Sequence, residues 1–403
     1  MIAAWRAALS GAKVTLLEKN PKLGIKLLIS GGGKCNITHD GTVEDLLSRF
    51  RTNESRFLKY SFHQFTNIQL IRHIKERGVE TYVRGDGRIF PASGKAGDVV
   101  HALRRLMEQA GVEIRLATGV EEMLRDGDGI CGVRTELGAI ETRHLILATG
   151  GASYPKTGTT GDGFRWLREL GHAIIPVKPA LAPIYLDPTP PPAWQGVALR
   201  DCAVIAEMEG KAVASARGDL LFTHKGISGP STLEASRDVF IALQENPNID
   251  IAIDVLPDKT IAQVEEALQD EIVSNGGKKS ETLIELYVPQ RLAPFMLNAA
   301  GVDGSIKGHQ LKREERRAIV QTLKRWKVGR VKEIPLESGE VTAGGVDLHE
   351  IDPRTMKSRL VDGLYVCGEV LDIAGPIGGY NLQAAFSTGF VAGESAASDL
   401  RRQ

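Results

Sequence analysis

Phe57, Phe62, Phe65, Leu70 and Ile74 recur every three to five residues, the spacing of one helical face, and predict helix across residues 43–78. Val99, Leu103, Leu106 and Ala110 repeat that spacing until Gly111 stops it. Residues 2–9 predict an opening helix stopped by Gly11, and residues 13–18 a short strand closed by the acid Glu18. Residues 112–116 predict another strand. The apolar run Leu145-Ile-Leu-Ala148 is of the kind buried in a parallel sheet.

Prolines crowd residues 176–196 and mark a boundary connection. Beyond it, strand-like pieces at 202–208, 219–223 and 249–255 give way to a helical stretch over 258–330. Strands resume near 339–346 and 361–366, and residues 381–400 predict a final helix. The pattern is an α/β unit interrupted by a β-rich insert that is itself interrupted by helices. It sets boundaries at 1–180, 181–257, 258–330, 331–345 and 346–403.

Fifty Lys and Arg balance fifty Asp and Glu, and 42% of residues are hydrophobic, which excludes a disordered chain and one that coats nucleic acid by bulk charge. Cys35, Cys131, Cys202 and Cys367 are scattered, with no Cys-x-x-Cys pair or His cluster. That argues against a zinc site or a disulfide framework and for a reducing, cytoplasmic setting. No run approaches the ~20 apolar residues that span a bilayer. Glycine is the outlier, at 44 of 403, against a usual share of about 7%.

Where those glycines sit carries the chemistry. In dinucleotide folds the acid closing the second strand binds a ribose hydroxyl, and Glu18 stands at such a strand end. Ser30-Gly-Gly-Gly-Lys-Cys-Asn36 exposes successive backbone N–H groups beside a lysine. Ala148-Thr-Gly-Gly151 ends a strand and runs into Thr157-Gly-Thr-Thr-Gly-Asp-Gly163. Gly368-Glu-Val-Leu-Asp-Ile-Ala-Gly-Pro-Ile-Gly-Gly-Tyr-Asn-Leu-Gln383 follows a strand and precedes a helix, which aims N–H groups and a positive helix end at an anionic acceptor. Taken singly, each has a plainer reading: a solvated carboxylate, a flexible turn, an N-cap or a glycine-rich loop.

Together, Leu27-Leu-Ile-Ser-Gly-Gly-Gly-Lys-Cys-Asn36, Ala148-Thr-Gly-Gly-Ala-Ser-Tyr-Pro155, Thr342-Ala-Gly-Gly-Val346 and the segment from Gly368 resemble one bacterial family of FAD-dependent oxidoreductases. That family includes aminoacetone oxidase, a bile-acid ene reductase and the ribosomal RNA dihydrouridine synthase. Asp86-Gly-Arg-Ile-Phe-Pro91 and Leu220-Leu-Phe-Thr-His-Lys-Gly-Ile-Ser-Gly-Pro230 extend the resemblance over nearly the whole chain. It implies an α/β fold: a glutathione-reductase-like, Rossmann-type FAD domain with an inserted β-barrel domain and, within the barrel, a helical subdomain. It also implies that Glu18, with Lys19 beside it, holds the adenosine ribose, and that Val120 meets the adenine through its backbone. Around the rest of FAD it places Ser30, Gly31, Gly32, Gly33, Lys34, Cys35, Asn36, Ala148, Thr149, Gly150, Gly151, Gly368, Glu369, Asp372, Gly378, Gly379, Tyr380, Asn381 and Leu382.

The sequence departs from the family in three places. The family opens with a strand and a Gly-Gly-Gly-x-Ala-Gly turn before a helix like residues 1–7, and Met1 stands where that helix starts. The resemblance thus implies that the first strand and Gly-rich turn are missing and that this chain binds FAD weakly or not at all. Cys367 replaces a small apolar residue, and Lys34 replaces an arginine, keeping the charge but losing the fork.

The chemistry implied is reduction: NAD(P)H, a transient visitor, reduces FAD, and a hydride passes to an electron-poor C=C while a general acid protonates the neighbouring carbon. His224 and Cys35 are the sequence candidates for that acid, each with a structural alternative. Substrate choice turns on a basic stretch. From 307 to 332, Lys307, Lys312, Arg313, Arg316, Arg317, Lys324, Arg325, Lys327, Arg330 and Lys332 face only Glu314 and Glu315, a local charge of +8 with Trp326 among the cations. Such a patch favours ribosomal RNA as partner and a uridine in it as substrate. The alternatives are a small-molecule ene reductase or amine oxidase, and a truncated remnant with impaired FAD binding and no activity.

Overall fold

Short β-branched and leucine-rich runs far apart in the chain find one another as parallel strands in the computed structural model, which describes residues 1–402. Thr15–Leu17 pairs parallel with Glu113–Arg115, Leu16 opposite Ile114. Leu364–Val366 pairs parallel with Leu145–Leu147, Tyr365 opposite Ile146. Parallel neighbours require helical crossovers, and the amphipathic helix Ala96–Gln109 supplies one, burying Val99, Val100, Leu103, Leu106 and Met107. These elements belong to a first compact unit, Met1–Lys178 with the residues from Glu340 onward.

The C-terminal helix Tyr380–Arg402 runs through this unit with Ala384, Phe386, Val391, Ala392 and Ala396 buried. The opening helix Ile2–Leu9 lies against it, with Ala3 close to Gly389 and Gly393. The expected helical stretch over 43–78 is three helices, Val43–Leu47, Thr52–Gln64 and Asn67–Lys75. The last starts at a capping box: Thr66 Oγ1 accepts from Gln69 N at 3.2 Å, and Gln69 Oε1 accepts from Thr66 N at 2.8 Å.

The second unit, Pro179–Gly339, is built on a closed six-stranded barrel. Around the barrel the strands run Ile184–Asp187, Gly226–Ser228, Lys211–Phe222, Ala198–Met208, Ile249–Asp254 and Trp326–Glu333. Closure leaves no free edge, and Ile184, Leu186, Val204, Phe222, Ile251, Ile253 and Trp326 are buried in its core. Four α-helices, Ile261–Asn275, Ser280–Ile284, Ala293–Ala299 and Arg313–Lys324, stand between its fifth and sixth strands in that order.

Two expected boundaries move. The barrel regains the chain at Trp326 rather than at 331, and Val341–Val346 leaves it, pairing instead with Ile174–Ala180. The helix Pro230–Glu245 has no counterpart in the sequence reading, because its buried positions are small: Ser231, Thr232, Ala235, Ser236 and Ala242, with Val239. Among the described residues, no helix is long and apolar enough to cross a membrane.

Candidate cofactor site

The glycine segments converge in the first unit at the carboxyl ends of its parallel strands. Glu18 follows Thr15–Leu17 directly, and its Oε1 accepts from both the backbone and side-chain nitrogens of Asn20 at 2.8 Å. Glu18 Oε2 has no partner among the described residues, so one carboxylate oxygen stays open to a ligand hydroxyl. The amino end of the helix Ile2–Leu9 lies within electrostatic reach of Glu18 and of Cys367, the residue after Leu364–Val366. Val120 opens the strand Val120–Asp126, and the segment before it is tied to the same corner by Thr118 N donating to Glu18 O at 2.9 Å.

Lys19 turns the other way. Its Nζ donates to Thr160 Oγ1 at 2.6 Å and Asp162 Oδ2 at 2.7 Å. Thr160 Oγ1 in turn donates to Asp162 Oδ2 at 2.8 Å, and although burial pushes upward, Lys19 and Thr160 together hold the Asp162 carboxyl below its ordinary range.

The segment at 30–36 is only partly a loop. Helix begins at Ile25, and at Ser30 the backbone leaves it, with Gly31, Gly32 and Gly33 at φ of 56°, 67° and 84°. All three glycines and Lys34 are exposed, and a methyl group on Gly32 would meet open space. This is the backbone a bulky ligand can approach closely. The Asn36 amide, oriented by its neighbours, donates to Thr38 O at 3.1 Å and accepts from Gly379 N at 2.9 Å. Gly379 therefore ties the two glycine segments together instead of offering its N–H to a ligand. A methyl group there would meet the Thr38 carbonyl carbon at 2.6 Å.

Beyond Gly379, the C-terminal segment supports the site more than it lines it. Tyr380 is buried and stacks on His39, centroids 4.8 Å apart. Asn381 braces the turn before it, accepting from Gly375 N and donating to Gly375 O, each at 2.8 Å. Gly378 is buried and Leu382 packs on the core.

Ala148 and Thr149 are exposed just past Leu145–Leu147, while Gly150 and Gly151 turn inward. Thr342 fixes that turn, its Oγ1 accepting from Ala152 N at 2.9 Å and Ser153 N at 3.1 Å. Glu369 accepts from Thr342 N at 2.9 Å and pairs with Lys26, which also donates to Ser153 Oγ at 2.8 Å. Gly368 N donates to Thr388 Oγ1 at 3.1 Å, and Asp372 Oδ1 accepts from Gly344 N at 2.9 Å. Lys26 is the hub of this arrangement, and sequence reasoning passed over it as an ordinary helical lysine.

The two sequence candidates for the acid fare differently. Cys35 has no exposed surface, and burial pushes its thiol up to about 12 against a smaller pull from Ser30. A sealed, protonated thiol is neither nucleophile nor proton donor near neutral pH, so Cys35 is a packing residue. His224 is exposed in the second unit, on the turn between Lys211–Phe222 and Gly226–Ser228. Thr223 clamps that turn, its Oγ1 accepting from Gly226 N at 3.1 Å.

One grouping imitates a hydrolase triad. His172 Nε2 lies 2.9 Å from Ser358 Oγ and its Nδ1 2.9 Å from Glu350 Oε2. Ser358 Oγ also accepts from Leu360 N at 3.0 Å and Val361 N at 2.9 Å, so its lone pairs are taken, and it is buried. The trio is a brace.

The basic stretch changes most. Trp326 is buried and packs on Trp194, centroids 4.8 Å apart, so it is no stacking platform for RNA bases. Along Trp326–Glu333 the apolar side chains point in and the cations out. Acids from elsewhere in the unit meet those cations: Lys324 with Asp254 at 2.7 Å, Arg325 with Glu207 at 2.6 Å, Lys327 and Arg330 with Asp250 at 3.3 and 3.7 Å. Lys307, Lys312, Arg313, Arg317 and Lys332 stay exposed.

Glycine-rich turns at the carboxyl ends of parallel strands, with an acid at one of those ends, define a dinucleotide-binding protein of the Rossmann class. Residues 1–395 match the family described as HI0933-like protein Rossmann domain, and the chain belongs to that family of FAD-dependent oxidoreductases. It is 30% identical over 98% of its length to a "3-dehydro-bile acid delta(4,6)-reductase" from Clostridium scindens, covering 96% of that protein. It is 29% identical over 95% of its length to a "Ribosomal RNA dihydrouridine synthase" from Escherichia coli, covering 91% of it. A 3-ketosteroid delta1-dehydrogenase from Sterolibacterium denitrificans shares the fold at 12% identity, with a TM-score of 0.55, over 99% of this chain and 97% of that one.

Proposed function

We propose that this chain is an NAD(P)H-driven, FAD-dependent reductase of an activated C=C, and that its substrate is a uridine in ribosomal RNA. The observation that carries the flavin part is that one unit holds both an open Glu18 carboxylate oxygen at a strand end and the exposed glycine backbone of residues 31–33. Glu18 and the exposed backbone at Gly31, Gly32 and Gly33 would hold the dinucleotide, with Ala148, Thr149 and Gly368 closing around it. Lys34 supplies exposed positive charge beside that backbone. When bound, FAD supplies hydride transfer from reduced nicotinamide to substrate.

The protein's own part is orientation and charge. Lys26 and Glu369 fix the turn after Gly151 through Thr342. Asn36 locks the glycine loop to the start of the C-terminal helix. The uridine reading is supported by the name of the Escherichia coli relative and by the exposed cations on and beside the helix Arg313–Lys324. The second reading, a small-molecule ene reductase, is supported by the bile-acid reductase at 30% identity.

Purified protein with FAD and NADPH, offered an unmodified ribosomal RNA transcript and a 3-dehydro-bile acid in parallel, separates the two. Dihydrouridine detected by mass in the RNA supports the first reading. Reduction of the bile acid with untouched RNA supports the second.

A further inference from the structure

His39 closes the two-residue strand Thr38–His39, which pairs antiparallel with Arg88–Pro91, His39 opposite Arg88. This strand joins the two glycine segments. Asn36, just before it, accepts from Gly379 N, and Thr38 Oγ1 donates to Gln383 Oε1 at 2.7 Å. The His39 ring lies where two glycines leave room for it. A methyl group on Gly87 would overlap His39 Cε1, and one on Gly378 would lie 3.3 Å from His39 Cδ2. The ring stacks on Tyr380 with 18° between the planes.

Both ring nitrogens face carbonyl oxygens: Nδ1 lies 2.7 Å from Asp40 O, and Nε2 3.1 Å from Asp86 O. A carbonyl oxygen only accepts, so each contact needs a proton on its nitrogen. Neutral imidazole carries one N–H and one lone pair, and only the imidazolium donates twice. The neutral ring turns a lone pair towards one of the two carbonyls and loses that bond. A cation over the Tyr380 face adds to the preference for the charged ring. Of the charged groups around it, Arg84 and Arg88 pair with the Asp86 carboxylate, Arg49 lies over the Tyr380 ring at 6.0 Å, and Asp40 is exposed.

We propose that His39 is a positioning residue for the cofactor site, acting as an imidazolium that pins the Gly378–Tyr380 turn to the strand following the exposed glycine loop. The inference rests on the FAD-binding part of the reading above. Gly31, Gly32 and Gly33 have no side chains to pack, so their loop keeps its place through ties of this kind. FAD binding therefore takes up a proton wherever His39 is neutral in the free chain. Affinity is full where the ring is charged and falls as rising pH removes its second proton.

The test titrates FAD into the full chain and its His39→Gln variant from pH about 5.5 to about 8.5, across the range where histidine charge changes. The parent is expected to lose about tenfold in affinity over that range, the lower end of what a hydrogen bond to a charged group contributes. His39→Gln has no charge to lose and should bind at the parent's weaker level throughout. His39→Arg keeps a cation with several N–H donors and should recover affinity at the high end. Nitrogen NMR of the parent's His39 ring should show two N–H groups in the FAD-loaded chain, and FAD should move the ring's titration to higher pH. Parental affinity that stays flat with pH overturns the inference, because a purely structural tie would not titrate. A pH dependence that survives in His39→Gln overturns it too, and so does a ring titration that FAD leaves unmoved. Unfolding temperatures without FAD check the variants, and where one fails to fold the parent's ring titration decides. A parent chain that takes up FAD at no pH overturns the flavin reading and the inference with it.

Discussion

Lys26 Nζ lies 2.9 and 2.8 Å from the two carboxylate oxygens of Glu369, residues that meet from opposite ends of the chain. Both side chains are about three-quarters or more buried, at 27% and 19% exposed. Removing one partner leaves the other poorly paired, which is costlier than removing both. Lys26→Met is expected to lower stability by about 1–3 kcal/mol and to weaken FAD binding. Lys26→Met with Glu369→Gln should be less destabilised than the two single changes summed. A double-mutant cycle by urea unfolding and FAD titration checks this; strict additivity would show the pair to be uncoupled.

Thr342 makes a narrower prediction. Its Oγ1 accepts two backbone N–H groups of the turn after Gly151. Thr342→Val keeps the shape and removes the acceptor, leaving both donors orphaned at a cost of about 1–3 kcal/mol. Thr342→Ser keeps the acceptor and should lose less than half as much in the same unfolding assay.

The buried thiols give a pH dependence. Burial raises Cys35 and Cys367 to about 12 and Cys202 to about 11 from an ordinary 9.0. The folded chain keeps them neutral while the unfolded chain ionises near 9. The stability they contribute is therefore complete below pH about 9 and lost as pH climbs towards about 12. Urea midpoints should fall over that range, and less steeply in Cys35→Ala. At neutral pH only Cys131, which is partly exposed, should react quickly with a thiol reagent.

The basic stretch predicts a division of labour if RNA is the substrate. Lys312→Ala, Arg313→Ala and Arg317→Ala should each weaken transcript binding and reduce its salt slope by about one. Arg325→Ala should change the slope less, because Glu207 already holds that guanidinium. Trp326→Ala should destabilise the barrel by about 3–5 kcal/mol, seen by thermal unfolding. Equal slopes for all the arginine variants would contradict this.

The sequence carries these features unevenly. Glu18 and the glycine segments are legible because turns that place backbone near a ligand need glycine where other residues are strained, as at 31–33. Lys26 is not legible. It is an ordinary charged residue outside a motif, and it matters through a partner hundreds of residues away in the chain. Trp326 misleads because clustered cations conceal a strand alternation that sends the ring inward and the lysines out. The cations' partners Asp250, Asp254 and Glu207 come from other strands, so no local charge count could include them.

The central claim is tested most directly by titrating purified chain with FAD and then adding NADPH without oxygen. Against the weak or absent binding that the family's opening strand and turn led one to expect, saturable binding of one FAD per chain is expected from the open Glu18 carboxylate and the exposed glycines 31–33, weakened in Glu18→Ala, with bleaching of the bound flavin by NADPH. An absence of saturable FAD binding, or bound flavin that NADPH leaves yellow, would contradict it.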